Sequence, residues 1–185
     1  VNETEQFDVS ATVWLYAPNA VGVFEHGLFT ADDNQTATLT VGNPQVVASL
    51  SEESGAVGEN VTVEFNISSF DNTQRNVGAY DLNMTFDPSV IEFVNVSNEL
   101  APTLVVNDQN VDQGDLKLTY FRGDGGSTPT PLTAVTIEFN VIASGDSALQ
   151  IIESDSDVSN ENGTSLNTIF EGGSVGSTQA ASTTA

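Results

Sequence analysis

The sequence predicts an all-β fold: an antiparallel β-sandwich of about nine strands. Three observations carry this. Short runs of alternating apolar and polar residues recur along the chain. Clusters of Gly, Asn, Asp, Pro and Ser separate them. Sustained helical periodicity is weak. In a strand, successive side chains point to opposite sides, so each alternating run has one dry and one wet face.

The elements follow in order. Residues 36–50 form the first candidate, broken at Gly42-Asn43-Pro44. Val61-Thr62-Val63-Glu64-Phe65-Asn66-Ile67 alternates strictly. Tyr80, Leu82, Met84 and Phe86 alternate with Asp81, Asn83 and Thr85, which places the Tyr80 ring inside. Val135, Ile137, Phe139 and Val141 alternate with Thr136, Glu138 and Asn140. Shorter candidates are 90–96, 103–106, 116–121, 147–152 and 166–170. Residues 1–35 precede this pattern. They hold an alternating run, Phe7, Val9, Ala11, Val13 and Leu15, and a second apolar stretch at Val21–Phe29. At the other end, Gly172–Ala185 is small and polar and reads as a flexible tail. The expected division is 1–35, 36–176 and a tail at 177–185.

Composition narrows the function. The 185 residues include 26 acids against three basic residues, for a net charge of −23. Lys117, Arg75 and Arg122 cannot neutralise a row of phosphates, which excludes nucleic-acid binding and argues against anionic lipid. With no cysteine there is no disulfide, thiolate zinc site or cysteine nucleophile. No run reaches the ~18 apolar residues of a membrane helix. Val1, with no signal-peptide pattern after it, reads as the start of a processed chain or of a piece. Acids spread evenly, with lysine almost absent, give a surface that repels itself at low salt and stays soluble when salt screens it. This resembles the bias of halophilic archaea.

Four stretches, taken together, resemble cohesin domains, the jelly-roll-like sandwich modules of cellulosome scaffolds and archaeal surface proteins. Val57-Gly58-Glu59-Asn60-Val61-Thr62-Val63 is similar to the lead-in to the family's second strand. The most specific stretch runs from Gly78-Ala79-Tyr80-Asp81-Leu82 through Phe86-Asp87-Pro88-Ser89 to Phe93. Leu132–Ile142 with Ala143-Ser144-Gly145 resembles a late strand and its turn. Asn160-Glu161-Asn162-Gly163, ending in Glu171-Gly172-Gly173-Ser174-Val175, resembles the closing loop and last strand. Proline fixes φ in the Asp87-Pro88-Ser89 turn, and the Asp87 carboxylate can accept from the backbone that follows. The resemblance implies binding rather than catalysis. Cellulosomal cohesins bind dockerins through one sheet face, but no contact residue carries over to this chain.

After Val175 the sequence Gly176-Ser177-Thr178-Gln179 loses its apolar alternation. The expectation is therefore an incomplete last strand, which would leave an open edge and groove. Phe7, Val9, Ala11, Val13 and Leu15 have the length and pattern of a donor strand. That run either pairs within its own subunit or enters a neighbour and builds a homopolymer filament. The alternatives are a monomeric cohesin-like module of a larger surface protein and a carbohydrate-binding module. Trp14, Tyr16, Tyr80 and Tyr120 are the few candidates for a sugar platform.

Seven N-x-[ST] sequons are candidate N-glycosylation sites: Asn2, Asn34, Asn60, Asn66, Asn83, Asn95 and Asn162. Asn60, Asn66 and Asn83 fall on wet strand faces by parity. The sequons support an extracellular, cell-surface address. Asp155-Ser156-Asp157 with Asn160, Asn162 and Gly163 is a weak calcium candidate that does not fit an EF-hand. Arg122-Gly123-Asp124 reads as a turn. Lone His26 has no nucleophile paired to it by spacing, and single Lys117 reads as a surface residue rather than a cross-link. No catalytic residue and no cofactor are expected.

Overall fold

The computed structural model describes residues 44–97, 100 and 103–178. They belong to one of two units in the chain, Leu39–Ala185. The candidate donor strand, Trp14, Tyr16, His26, Asn2 and Asn34 lie outside the described residues.

The described strands, in chain order, are β1 (Val46–Leu50), β2 (Glu52–Ala56), β3 (Asn60–Ser69), β4 (Asn76–Val77), β5 (Ala79–Thr85), β6 (Ile91–Ser97) and β7 (Leu104–Asn107). They continue with β8 (Asp115–Phe121), β9 (Thr128–Pro129), β10 (Leu132–Val141), β11 (Asp146–Ile151), β12 (Asp157–Ser159), β13 (Thr168–Glu171) and β14 (Gly173–Thr178). The five-stranded sheet has the order β13-β1-β3-β10-β6. The seven-stranded sheet has the order β2-β14-β11-β5-β8-β7, with β12 beside β5. β4 and β9 form a small ribbon.

Strands are present at each of the nine expected places that the described residues cover, and there are five more: two arise where long strands switch sheets, and three, β4, β9 and β12, are only two or three residues long. The first long strand switches sheets at Ser51 and so counts as β1 and β2. The last does the same at Gly172, as β13 and β14. The sandwich is antiparallel as expected, with two parallel pairings where its ends cross. β1 pairs β13 in parallel, and β2 pairs β14 in parallel. The two ends of the domain thus cross between the sheets side by side.

The alternating runs behave as their parity predicts. The dry residues of β3, β5, β8 and β10 meet in one core between the sheets. The Tyr80 and Tyr120 rings stack there at 5.3 Å, and Phe65 meets Tyr80 edge-on at 5.4 Å. The Tyr80 hydroxyl reaches the carbonyl of Ala134 at 3.4 Å. Burial, then the neighbouring Tyr120, pushes the Tyr80 phenol well above its ordinary range. A second aromatic cluster joins Phe139 to Phe86 and Phe93. The Asp87-Pro88-Ser89 turn forms as expected: the Ser89 N–H donates to Asp87 Oδ1 at 2.9 Å and its hydroxyl at 2.6 Å. Those bonds lower the Asp87 pKa.

The stretch from Gly173 to Thr178 is no flexible tail and no truncated strand. It lies between β11 and β2 with ladder pairing on both sides, and Val175 is fully buried. The open groove expected beside it is filled by the domain's own chain. Small residues are there because neighbouring backbone comes too close for larger ones. A Cβ on Gly172 would stand 2.4 Å from the Leu149 carbonyl oxygen.

Candidate functional site

Among the described residues, no three acidic or imidazole side chains converge as metal ligands would. In the segment read as a weak calcium candidate, polar groups bond to one another. Asp157 Oδ2 accepts the Ser159 hydroxyl at 2.5 Å, and Asn160 Oδ1 accepts the backbone N–H groups of Asn162 and Thr164. Asp155 sits in the 3₁₀ turn Glu153–Asp155. Both described tyrosines are buried, so the platform expected of a sugar-binding face has no tyrosine among these residues.

The Arg122-Gly123-Asp124 turn closes on itself. Arg122 Nε and Nη2 donate to the two Asp124 carboxylate oxygens at 3.1 and 3.0 Å, and the Gly126 N–H donates to Asp124 Oδ1 at 2.9 Å. The Arg122 hydrogen bond, then that of Gly126, lowers the Asp124 pKa from 3.8 to about 2. A depressed carboxylate pKa favours the folded turn above the ordinary value, and the contribution is lost as pH falls from 3.8 toward 2. The pair is solvent-exposed and worth little to stability. Carboxyl NMR should give Asp124 a midpoint near 2. Arg122→Gln should return it most of the way to the ordinary value; an unchanged midpoint would show that the arginine is not the cause.

The two outer faces differ. The outer face of the seven-stranded sheet carries apolar side chains at its β8–β7 end. Val105 is 52% and Phe121 45% exposed. The register pairs Val105 with Thr119, two residues from Phe121, so the two are diagonal neighbours on one face. Exposed Lys117 lies on the same face, paired in register with Asn83 on one side and Asn107 on the other. Next to it, Thr119 donates to Asp81 at 2.6 Å.

Asn83 departs from expectation. Its parity is that of the wet face, yet it is only 8% exposed. Between β11 and β12 the chain leaves the ladder and makes the 3₁₀ turn Glu153–Asp155, which covers this position. Asn83 Nδ2 donates to the Asp155 carbonyl, and the Asn83 N–H donates to Ser156 Oγ at 3.0 Å. The Asn83 side chain is thus covered by this turn rather than free on a wet face.

The outer face of the five-stranded sheet is polar at its centre and holds Asn60, Asn66 and Asn95. Asn60 and Asn95 are exposed and Asn66 is half-buried. Asn60 Nδ2 donates to Glu138 at 3.0 Å, and Asn66 Oδ1 accepts from Thr133 at 2.7 Å. Asn162 is exposed in the turn between β12 and β13.

The family described as the cohesin domain matches residues 46–175. No curated protein sequence matches the chain. Several solved structures share the fold. CaCohA2 from Clostridium acetobutylicum is 21% identical with a TM-score of 0.64, over 76% of this chain and 96% of that one. A non-cellulosomal cohesin from the archaeon Archaeoglobus fulgidus is 15% identical with a TM-score of 0.59, over 73% and 92%. The sixth cohesin of Acetivibrio cellulolyticus scaffoldin B, solved in complex with a dockerin, is 16% identical with a TM-score of 0.63, over 72% and 99%. With the family matched across nearly all the described strands, the chain belongs to the cohesin-domain family, a family of protein-interaction modules.

Proposed function

We propose that this chain is a non-catalytic, extracellular protein-binding module of a salt-adapted organism, and that it meets its partner with the outer face of β5, β8 and β7. The supporting observation is the adjacent pair Val105 and Phe121, exposed on a flat strand surface beside the chain's only lysine. Exposed apolar patches mark interaction sites, and aromatic side chains are enriched at protein interfaces. The dockerin bound by the Acetivibrio cohesin is a precedent for a protein ligand on this fold. A homopolymer built by strand donation needs a receiving groove, and the paired final strand occupies the one expected from the sequence. A monomeric module of a larger surface protein is therefore the favoured reading.

A photo-crosslinking residue at position 121, and in a second variant at Thr62 on the other sheet, tests the face. In the extracellular fraction of the source organism, position 121 should yield one discrete protein adduct and position 62 none. An adduct from position 62 alone, or from neither, refutes the reading.

Salt adaptation has its own test. A charge of −23 on 185 residues makes the folded state repel itself, and salt screens that repulsion. Raising KCl from millimolar to multimolar should raise Tm by ten degrees or more, by order of magnitude. A Tm that is flat or falls would mean that the acidity serves another purpose.

A further inference from the structure

We propose that the outer face of the five-stranded sheet is a glycan-bearing face, with N-linked sugars on Asn60, Asn66 and Asn95, and that this restricts docking to the opposite sheet. It rests on the extracellular address proposed above. The observation is where the fold puts sequons that are scattered in sequence. Asn60 and Asn66 lie on β3 and Asn95 on edge strand β6. Asn95 pairs with Glu138 of β10, which pairs with Thr62 of β3, so Asn95 stands two strands away from Thr62 on the same face. Two strand spacings are about 10 Å, and the six residues from Asn60 to Asn66 span about 20 Å. Three acceptors at these separations can each carry a sugar without crowding the next.

The local geometry suits the modification. In a strand, residues i and i+2 share a face. The hydroxyls of Thr62, Ser68 and Ser97 therefore flank their own asparagines, and Thr62 and Ser97 are exposed. The nearest neighbours on β3 and β10 are Glu64, Thr133, Thr136 and Glu138, while the exposed apolar side chains of this sheet, Ile169 and Val94, lie on its edge strands β13 and β6. In the transfer, the asparagine Nδ2 attacks the anomeric carbon of an oligosaccharide held on a polyprenyl phosphate or diphosphate. A C–N bond forms, the carbon–oxygen bond to the carrier breaks, one amide proton is lost, and the lipid phosphate leaves. One N–H remains on Nδ2, enough to keep the bond from Asn60 to Glu138.

The opposite sheet shows the complementary pattern. Its sequon at Asn83 is buried and its amide bonded, while its surface displays Val105 and Phe121. One face of the sandwich is thus open to sugars and the other to a protein.

The test is site-resolved mass spectrometry of the protein from separated surface and cytoplasmic fractions of its source organism. Saccharide additions at Asn60, Asn66 and Asn95, with Asn83 bare, are expected in the surface fraction. If the protein is at the surface with all three sites bare, or modified at Asn83 instead, the glycan face is wrong and the address stands. Protein confined to the cytoplasm refutes both. Because these asparagines lie on the outside of the sheet, N60Q, N66Q and N95Q should fold. Each should remove one step of gel mobility shift, while N83Q should remove none. Variants that leave the mobility unchanged overturn the proposal.

Discussion

Replacing Gly173 by alanine should cost roughly 3 kcal/mol of stability, and replacing Gly172 as well should abolish cooperative folding near room temperature. A Cβ on Gly173 would lie 2.2 Å from the Ser51 carbonyl oxygen and 2.8 Å from that of Leu50. These are backbone atoms at the point where the first strand crosses between sheets, so they cannot swing aside as a side chain would. Ser51 is itself fixed: its N–H donates to the Glu64 carbonyl at 2.9 Å, and its hydroxyl accepts the Glu64 N–H at 3.0 Å. Relief must come from β14, which lies between β2 and β11. Moving it releases both ladders and uncovers Val175. Guanidinium unfolding of the two variants measures this. A loss below about 0.5 kcal/mol for Gly173→Ala, the range of an ordinary surface change, would show that the crossing has slack.

That crossing also marks where the sequence stops being legible. Strands such as β3, β5 and β10 announce themselves because one face is buried by the opposite sheet and the other is wet, so burial is written as alternation. The burial of Tyr80 and Phe139 follows directly. β14 carries no such signal. Where two backbones pass within van der Waals contact, only glycine and serine fit, and a close crossing is spelled with the same residues as a flexible tail. β2 is obscured for a related reason: a Cβ on Gly55 would meet the Val61 side chain at 2.7 Å, so glycine stands where an alternating residue would mark a strand. Asn83 fails for a different reason. Its strand parity is read correctly, but the turn that buries it comes from about 70 residues later in the chain, beyond the reach of any local pattern. The candidate interface was hidden for a third reason. Val105 and Phe121 become neighbours only through the β7–β8 register, and each alone looks like an unremarkable apolar residue.

Phe139→Ala and Phe121→Ala should separate folding from function. Phe139 is completely buried on β10; its ring meets Phe86 edge-on at 5.2 Å and Phe93 at 6.3 Å. Truncation removes both ring pairs and leaves a cavity between sheets that are held apart by their other side chains. The expected loss is about 3–5 kcal/mol, a large share of the 5–15 kcal/mol typical of a domain. Phe121 is a ring of the same size, but nearly half exposed at the end of β8. Its removal should change stability by less than about 0.5–1 kcal/mol, while weakening partner binding at least tenfold, about 1.4 kcal/mol. Denaturant unfolding, read beside the adduct yield of a photo-crosslinking residue placed at Lys117 on the same face, distinguishes these effects. If Phe121→Ala destabilises the domain as much as Phe139→Ala, the ring belongs to the fold, and Val105 with its neighbours is no interface. If it changes neither stability nor adduct yield, the partner meets the sheet elsewhere. Only the separated outcome, a stable domain that no longer captures its partner, fits a ring held outside the core for contact with another protein.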